Sequence, residues 1–166
     1  MRTRHAGGIT LRGSRTSDGG TQNDEGDRMT TNGKLSAAER EFLTGPRFAV
    51  LATIGDDGTP QQTVMWYELR GDRIMMNTTA SRVKNANVRR DPRVSICVED
   101  GYTYVTLRGS VSEIIEDRET AVNDIISLAL RYHPGTSAED HTMYAQMERQ
   151  TLLIDIDKVI SHGLEG

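Results

Sequence analysis

Cysteine is almost absent from this chain: Cys97 stands alone among 166 residues. A single thiol cannot close an internal disulfide, so no disulfide framework is expected and a reducing cytoplasm is the expected location. Long apolar runs are also missing. None approaches the roughly 20 residues that a membrane-spanning helix needs, and the N-terminus carries no apolar stretch of the kind a secretory signal uses. Positive charge is not in excess: 20 Lys and Arg face 24 Asp and Glu, a formal net charge of −4. That balance argues against nucleic acid or an anionic membrane as partner, while leaving room for a local basic site. Internal repeats, a hydrolytic triad and a paired-carboxylate pattern are all lacking, so no residue declares itself catalytic. The length suits one domain with a core of moderate size.

Large aliphatic residues are scarce at the start. "MRTRHAGGITLRGSRTSDGGTQNDEGDR" offers Ile9 and Leu11 among Gly, Arg, Ser, Thr and Asp. Such a segment cannot bury enough apolar surface to offset its chain entropy. Residues 1–33 are therefore expected to be a disordered extension, with the composition breaking at Met29 and the folded domain occupying residues 34–166.

From residue 34 onward the chain reads mainly as strands. "LSAAEREFLTG" is a short helix with Ser36 and Glu39 at capping-box spacing and Gly45 at its end. "RFAVLATI", "QQTVMWYELR" and "RIMMNTT" are β-rich runs joined by the turns "GDDGTP" and "GD". Connections this short force antiparallel neighbours. Ser81 to Arg90 reads as a second short helix, closed by Asp91-Pro92. "RVSICVED" and "YTYVTLRGSVSEII" flank a turn at Gly101, and "TLLIDIDKVISHGL" ends the chain as a strand. Between them, apolar residues from Ala121 to Tyr132 recur at helical spacing, and Ala138 to Arg149 reads as a further helical piece. The expected fold is a mainly β (α+β) protein: a six-stranded antiparallel split barrel with peripheral helices.

One stretch departs from the acidic balance. "NTTASRVKNANVRRDP" sets Thr78, Thr79 and Ser81 ahead of Arg82, Lys84, Arg89 and Arg90. Hydroxyls and free N–H groups at a helix N-terminus favour an anion, and Arg82 and Lys84 can add charge-assisted bonds to its oxygens. The same residues also describe a Ser-capped helix with solvated cations, so the pattern alone leaves both readings open. If Lys84 and Arg89 are solvated without ligand, replacing either should barely change fold stability. Elsewhere, His133 and His141 flank "PGTSAED" without a third ligand at metal-site spacing, and no metal is expected. Cys97 is expected to be a small buried residue of an apolar strand. Met75, Met76, Trp66 and Tyr67 suit core packing more simply than ligand contact.

The order and spacing of "FLTGPRFAVLATIGDDGTPQQTVMWYEL", "RIMMNTTASRVKNANVRRDPRVSICVED", "YVTLRGSVSEI" and "LLIDIDKVIS" resemble the pyridoxamine 5'-phosphate oxidase-like split β-barrel flavoproteins. Within that family the chain is most similar to the actinobacterial branch that uses the deazaflavin coenzyme F420. The resemblance implies a homodimer with cofactor sites at the subunit interface. It implies ring contacts at Gln62, Thr63, Val64, Met65 and Trp66, largely through backbone groups. It also implies phosphate contacts at Asn77, Thr78, Thr79, Ser81, Arg82 and Lys84. The activity implied is transfer of a hydride from reduced F420 to a small conjugated, electron-poor molecule, with the cofactor supplying the chemistry and the protein supplying position. FMN in the same cradle, or cofactor binding without turnover, are the alternatives. The chain ends "DKVISHGLEG", without the basic substrate motif expected of a true pyridoxamine phosphate oxidase.

Overall fold

The computed structural model describes residues 28–30 and 32–164. Most of the expected N-terminal extension, residues 1–27 and 31, lies outside that range. Arg28–Thr30, also within the extension, form a short strand, β1, whose backbone pairs with Val159–Ser161. The other strands are β2 (Ala49–Ile54), β3 (Pro60–Met65), β4 (Tyr67–Arg70), β5 (Arg73–Thr79), β6 (Arg93–Asp100), β7 (Thr103–Ile115) and β8 (Arg149–His162). The helices are α1 (Ala37–Thr44), α2 (Val83–Arg90) and α3 (Arg118–Tyr132), with a run of 3-10 turns at Ala138–Gln146. No helix among the described residues is long and apolar enough to cross a membrane.

Every strand pair is antiparallel, and the sheet runs β3-β2-β6-β7-β8-β5-β4. The expected six strands become eight for two local reasons. One is β1. The other is that "QQTVMWYELR" bends at Trp66, so that β3 pairs with β2 while β4 pairs with β5. Those are the two ends of the sheet path, and Trp66 joins them covalently. The sheet thus curls into a barrel without leaving two free edges. The long strands β7 and β8 shift register between Arg108 and Gly109. A Cβ on Gly109 would stand 1.8 Å from the Asp155 carbonyl oxygen, so glycine is what permits this close approach.

Alternation sorts the side chains into two cores. Leu51, Tyr67, Ile74, Met76, Ile96, Val105, Leu107, Leu152 and Ile154 fill the barrel, with Phe42 and Leu43 of α1 and Val88 of α2 packed among them. Met75 and Leu153 point the other way, onto Ile125 and Leu128 of α3. Because β5 is covered on both faces, "IMM" can be continuously apolar. The capping box of α1 forms as expected: Ser36 Oγ accepts from Glu39 N at 3.2 Å, and Glu39 Oε2 accepts from Ser36 N at 2.8 Å. Helix α2 begins two residues later than expected. Arg82 is its N-cap, and no side chain caps it.

Candidate functional site

Strand β8 begins where β5 ends. Thr79 lies opposite Arg149 in the ladder, and Ala80 N donates to Glu148 O at 2.9 Å. This register carries Arg149 to the loop that enters α2, beside Arg82 and Lys84. Lys84 is 7% exposed, so the condition that it be solvated without ligand is not met. Burial, together with the neighbouring charges of Arg82 and Arg149, holds its ammonium below the usual lysine range. Burial likewise lowers the Arg149 guanidinium, and the charge of Arg82 acts in the same direction. Among the described residues, none of these three cations pairs with a carboxylate. They also sit at the N-terminal end of a helix, where the dipole disfavours positive charge. Three crowded cations without a counter-ion form an environment that an anion would relieve.

The second part of the site is a cavity of about 200 Å³ at the bend between β3 and β4. Val64, Met65, Trp66 and Asn77, all anticipated from sequence, line it together with Phe48, Ile125, Tyr144 and Arg149, which were not. Trp66 stacks on Tyr132, with ring centroids 5.3 Å apart and planes 13° apart, and meets Tyr144 edge-on at 6.2 Å. Tyr132 is pinned in turn, its hydroxyl donating to Arg47 O at 2.6 Å. Arg149 lies 5.6 Å from the Tyr144 ring centroid and so belongs to both the cavity and the cation cluster. The arrangement joins an aromatic-walled slot to a cationic end, which suits a planar ligand that carries an anionic group.

Not every anticipated residue arrives at this place. Gln62 is exposed on the outer face of β3, opposite Ala52, and Thr63 accepts a hydrogen bond from Gln61 Nε2 at 2.8 Å; neither lines the cavity. Thr78 is buried, and among the described residues its hydroxyl finds only Thr79 O, at 3.5 Å. Ser81 lines a separate basic groove of about 500 Å³ along α2, which Arg82 also borders while standing beside Lys84 and Arg149. Asn77 spends its amide on the protein: Nδ2 donates to Ala121 O at 2.8 Å and Thr151 Oγ1 at 3.0 Å, and Oδ1 accepts from Arg149 Nε at 2.8 Å. His133 and His141 stack at 5.8 Å, part of the aromatic wall behind Trp66. Tyr67 is a core residue, as expected, whereas Trp66 points outward onto α3. Cys97 is only half-buried: Val94, Ile96 and Val98 face the core, and the strand's alternation puts Cys97 on the other side, between Val50 and Thr106. Arg149 escaped the sequence reading because nothing local distinguishes it. Its place beside the loop that enters α2 comes from a strand pairing across some 70 residues, Thr79 with Arg149.

This outer face of the sheet is apolar along one row. Val64, Val50, Cys97, Thr106 and Ile160 follow one another across β3, β2, β6, β7 and β8, and Val64 is 63% exposed. Beside it runs a groove of about 450 Å³ lined in part by Ala52, Ile54, Ser95 and Arg108.

Solved structures share this architecture. A protein described as an F420 reductase superposes with a TM-score of 0.65 at 27% identity, covering 75% of this chain and 98% of its own. The conserved protein Rv2991 of Mycobacterium tuberculosis gives 0.66 at 34% identity, covering 80% and 91%. General Stress Protein 26 of Bacillus anthracis gives 0.59 at 18% identity over 77% and 93%, a likeness of fold alone. Residues 35–163, nearly the whole described domain, match the pyridoxamine 5'-phosphate oxidase family. With that match spanning most of the chain, and with an antiparallel barrel closed through a bent strand, the chain belongs to the pyridoxamine 5'-phosphate oxidase family of split barrels.

Proposed function

We propose that the chain is an oxidoreductase that holds coenzyme F420 and reduces a small, conjugated, electron-poor substrate. The observation that carries this reading is the cluster of Arg82, Lys84 and Arg149, crowded at a helix N-terminus and free of carboxylates among the described residues. Its chemistry fits a phosphate group. Lys84 and the fork of Arg149 would take the oxygens, with Arg82, Ser81, Thr78 and Thr79 around them. The ring would lie along Gln62–Trp66, with Val64, Met65 and Trp66 against it and the backbone of Gln62 and Thr63 at its edge. When bound, the deazaflavin supplies the hydride. The protein's part is to orient the ring, exclude water with Phe48, Trp66 and Tyr144, and leave one ring face open to substrate. The likeness to an F420 reductase over 98% of that chain favours F420 over FMN. FMN stays a second reading because it presents a phosphate to the same cations.

A second copy of the chain is the natural cover for the row Val64, Val50, Cys97, Thr106 and Ile160, and would bring its own residues to the slot beside Val64. Sedimentation at micromolar concentration should give about twice the chain mass.

The test of function is direct. The purified protein is titrated with F420 and with FMN, then loaded with reduced F420 and offered electron-poor enones and nitroaromatics. Oxidation of the coenzyme that depends on both protein and acceptor is expected. Tight binding without turnover on any acceptor would mark a carrier, and preference for FMN would replace the cofactor assigned.

A further inference from the structure

Arg149 is the member of the cation cluster whose strongest tether comes from a distant part of the chain. Among the described residues, its Nη1 meets the Met147 thioether at 3.8 Å, its guanidinium lies over the Tyr144 ring, and its stem emerges from the first residue of a strand. What grips it is a chain of polar side chains that the site itself does not need. Arg149 Nε donates to Asn77 Oδ1 at 2.8 Å. Asn77 Nδ2 donates to Thr151 Oγ1 at 3.0 Å. Thr151 Oγ1 donates to Asp124 Oδ2 at 2.6 Å, and Asp124 Oδ1 takes Arg70 Nη2 at 2.8 Å. Asn77, Thr151 and Asp124 are all buried, so water does not compete for these bonds.

The direction of the chain matters more than its length. A carboxylate only accepts. Thr151 has one hydroxyl proton, and with Asp124 as its partner that proton points away from Asn77. Thr151 can then only accept from Asn77, which must turn its NH2 toward Thr151 and Ala121 and its oxygen toward Arg149. The opposite amide orientation would set two donors against Arg149 Nε.

We infer that Asp124 and Thr151 are positioning residues for the anion site: together with the Ala121 carbonyl they fix the amide of Asn77, and through it the guanidinium of Arg149, from a distance. This inference rests on the anion-site reading above. It assigns to Asn77 an indirect part, through Arg149, in place of the direct phosphate contact that its sequence position suggests.

Two readouts test it on the whole protein. The first needs no ligand: solvent exchange of the Arg149 Nε–H proton, identified by its loss in Arg149→Lys. It should be slow in wild type, faster by about tenfold or more in Thr151→Val, and slow again in Thr151→Ser, which keeps the hydroxyl. Asp124→Asn, which lets Thr151 turn its proton round, should behave like Thr151→Val. The second is titration with inorganic phosphate, followed by the shift of the same resonance region. Thr151→Val should bind phosphate about three- to tenfold more weakly, and Thr151→Ser should restore it. Unchanged exchange in Thr151→Val and Asp124→Asn, or unchanged phosphate affinity, would overturn the inference. Lys84→Ala separates the two levels. If it weakens phosphate while Thr151→Val does not, the positioning role alone falls. If neither changes phosphate binding, or wild type binds none, the anion site falls with it.

Discussion

The two ends of α2 carry the same kind of residue to opposite fates. At the C-terminal end every guanidinium has a protein partner. Arg89 meets Glu116 and Gln150, Arg90 donates to Ile54 O at 2.6 Å, and Arg93, just beyond the helix, grips Asp91 at 2.6 Å. Arg93 pulls the Asp91 carboxyl down to about 2. The helix dipole favours cations there. At the N-terminal end Arg82 and Lys84 sit against the dipole, joined by Arg149 and lacking any carboxylate among the described residues. Both groups raise the local positive charge equally in composition. The N-terminal group lacks a carboxylate partner among the described residues, so on the proposed reading pairing, and not charge density, separates the anion site from a solvated face.

The largest break in that comparison should come from Lys84→Ala. It removes a charge-assisted contact worth roughly 1.5–3 kcal/mol, so F420 or FMN should bind about ten- to a hundredfold more weakly. Fluorescence titration at fixed salt reads this directly. An unchanged dissociation constant would reduce Lys84 to a packing residue.

Lys84→Met sharpens the comparison from the other side. Without ligand, the buried ammonium is a liability at this helix end, so the ligand-free protein should be stabilised by about 0.3–1 kcal/mol, seen as a higher melting temperature. The effect should depend on pH. The folded-state pKa of Lys84 lies below its ordinary value of 10.5. The unfolded chain therefore binds the extra proton in the window between them, and wild type gains stability as pH rises through that window. Lys84→Met should lack this gain, so the advantage of the variant shrinks at alkaline pH. A pH-independent difference would count against an uncompensated charge.

Arg89→Ala is the control at the other end and should do least. Its pair with Glu116 is largely exposed, so denaturant melts should show a loss of about 0.2–1 kcal/mol. Cofactor affinity should move by less than about twofold. A loss of affinity equal to that of Lys84→Ala would erase the distinction between the two ends.

Much of the fold is legible in the residues themselves. The capping box at Ser36 and Glu39, the hairpin turns and the apolar alternation in "RVSICVED" and "TLLIDIDKVISHGL" are local signals, and local geometry obeys them. The bend at Trp66 is not legible, because "QQTVMWYELR" reads as one strand whether or not its two halves pair with different partners. The site divides in the same way. Val64, Met65, Trp66 and Asn77 lie in runs that the family pattern marks, and the cavity gathers them. Phe48, just ahead of β2, and Ile125, Tyr144 and Arg149, from three further elements, are related to one another by no spacing in the chain.

By itself, then, the sequence determined most of the strand and helix segments and the basic run that opens α2, since each depends on neighbours a few residues away. Tertiary structure alone decided which cations stay unpaired. That outcome turns on whether a carboxylate from a distant element comes within reach, as Glu116 does for Arg89 and none does for Lys84 among the described residues. Coulomb interaction depends on separation in space, and the ladder of β5 with β8 brings Arg149 beside Thr79 although 69 residues of chain lie between them.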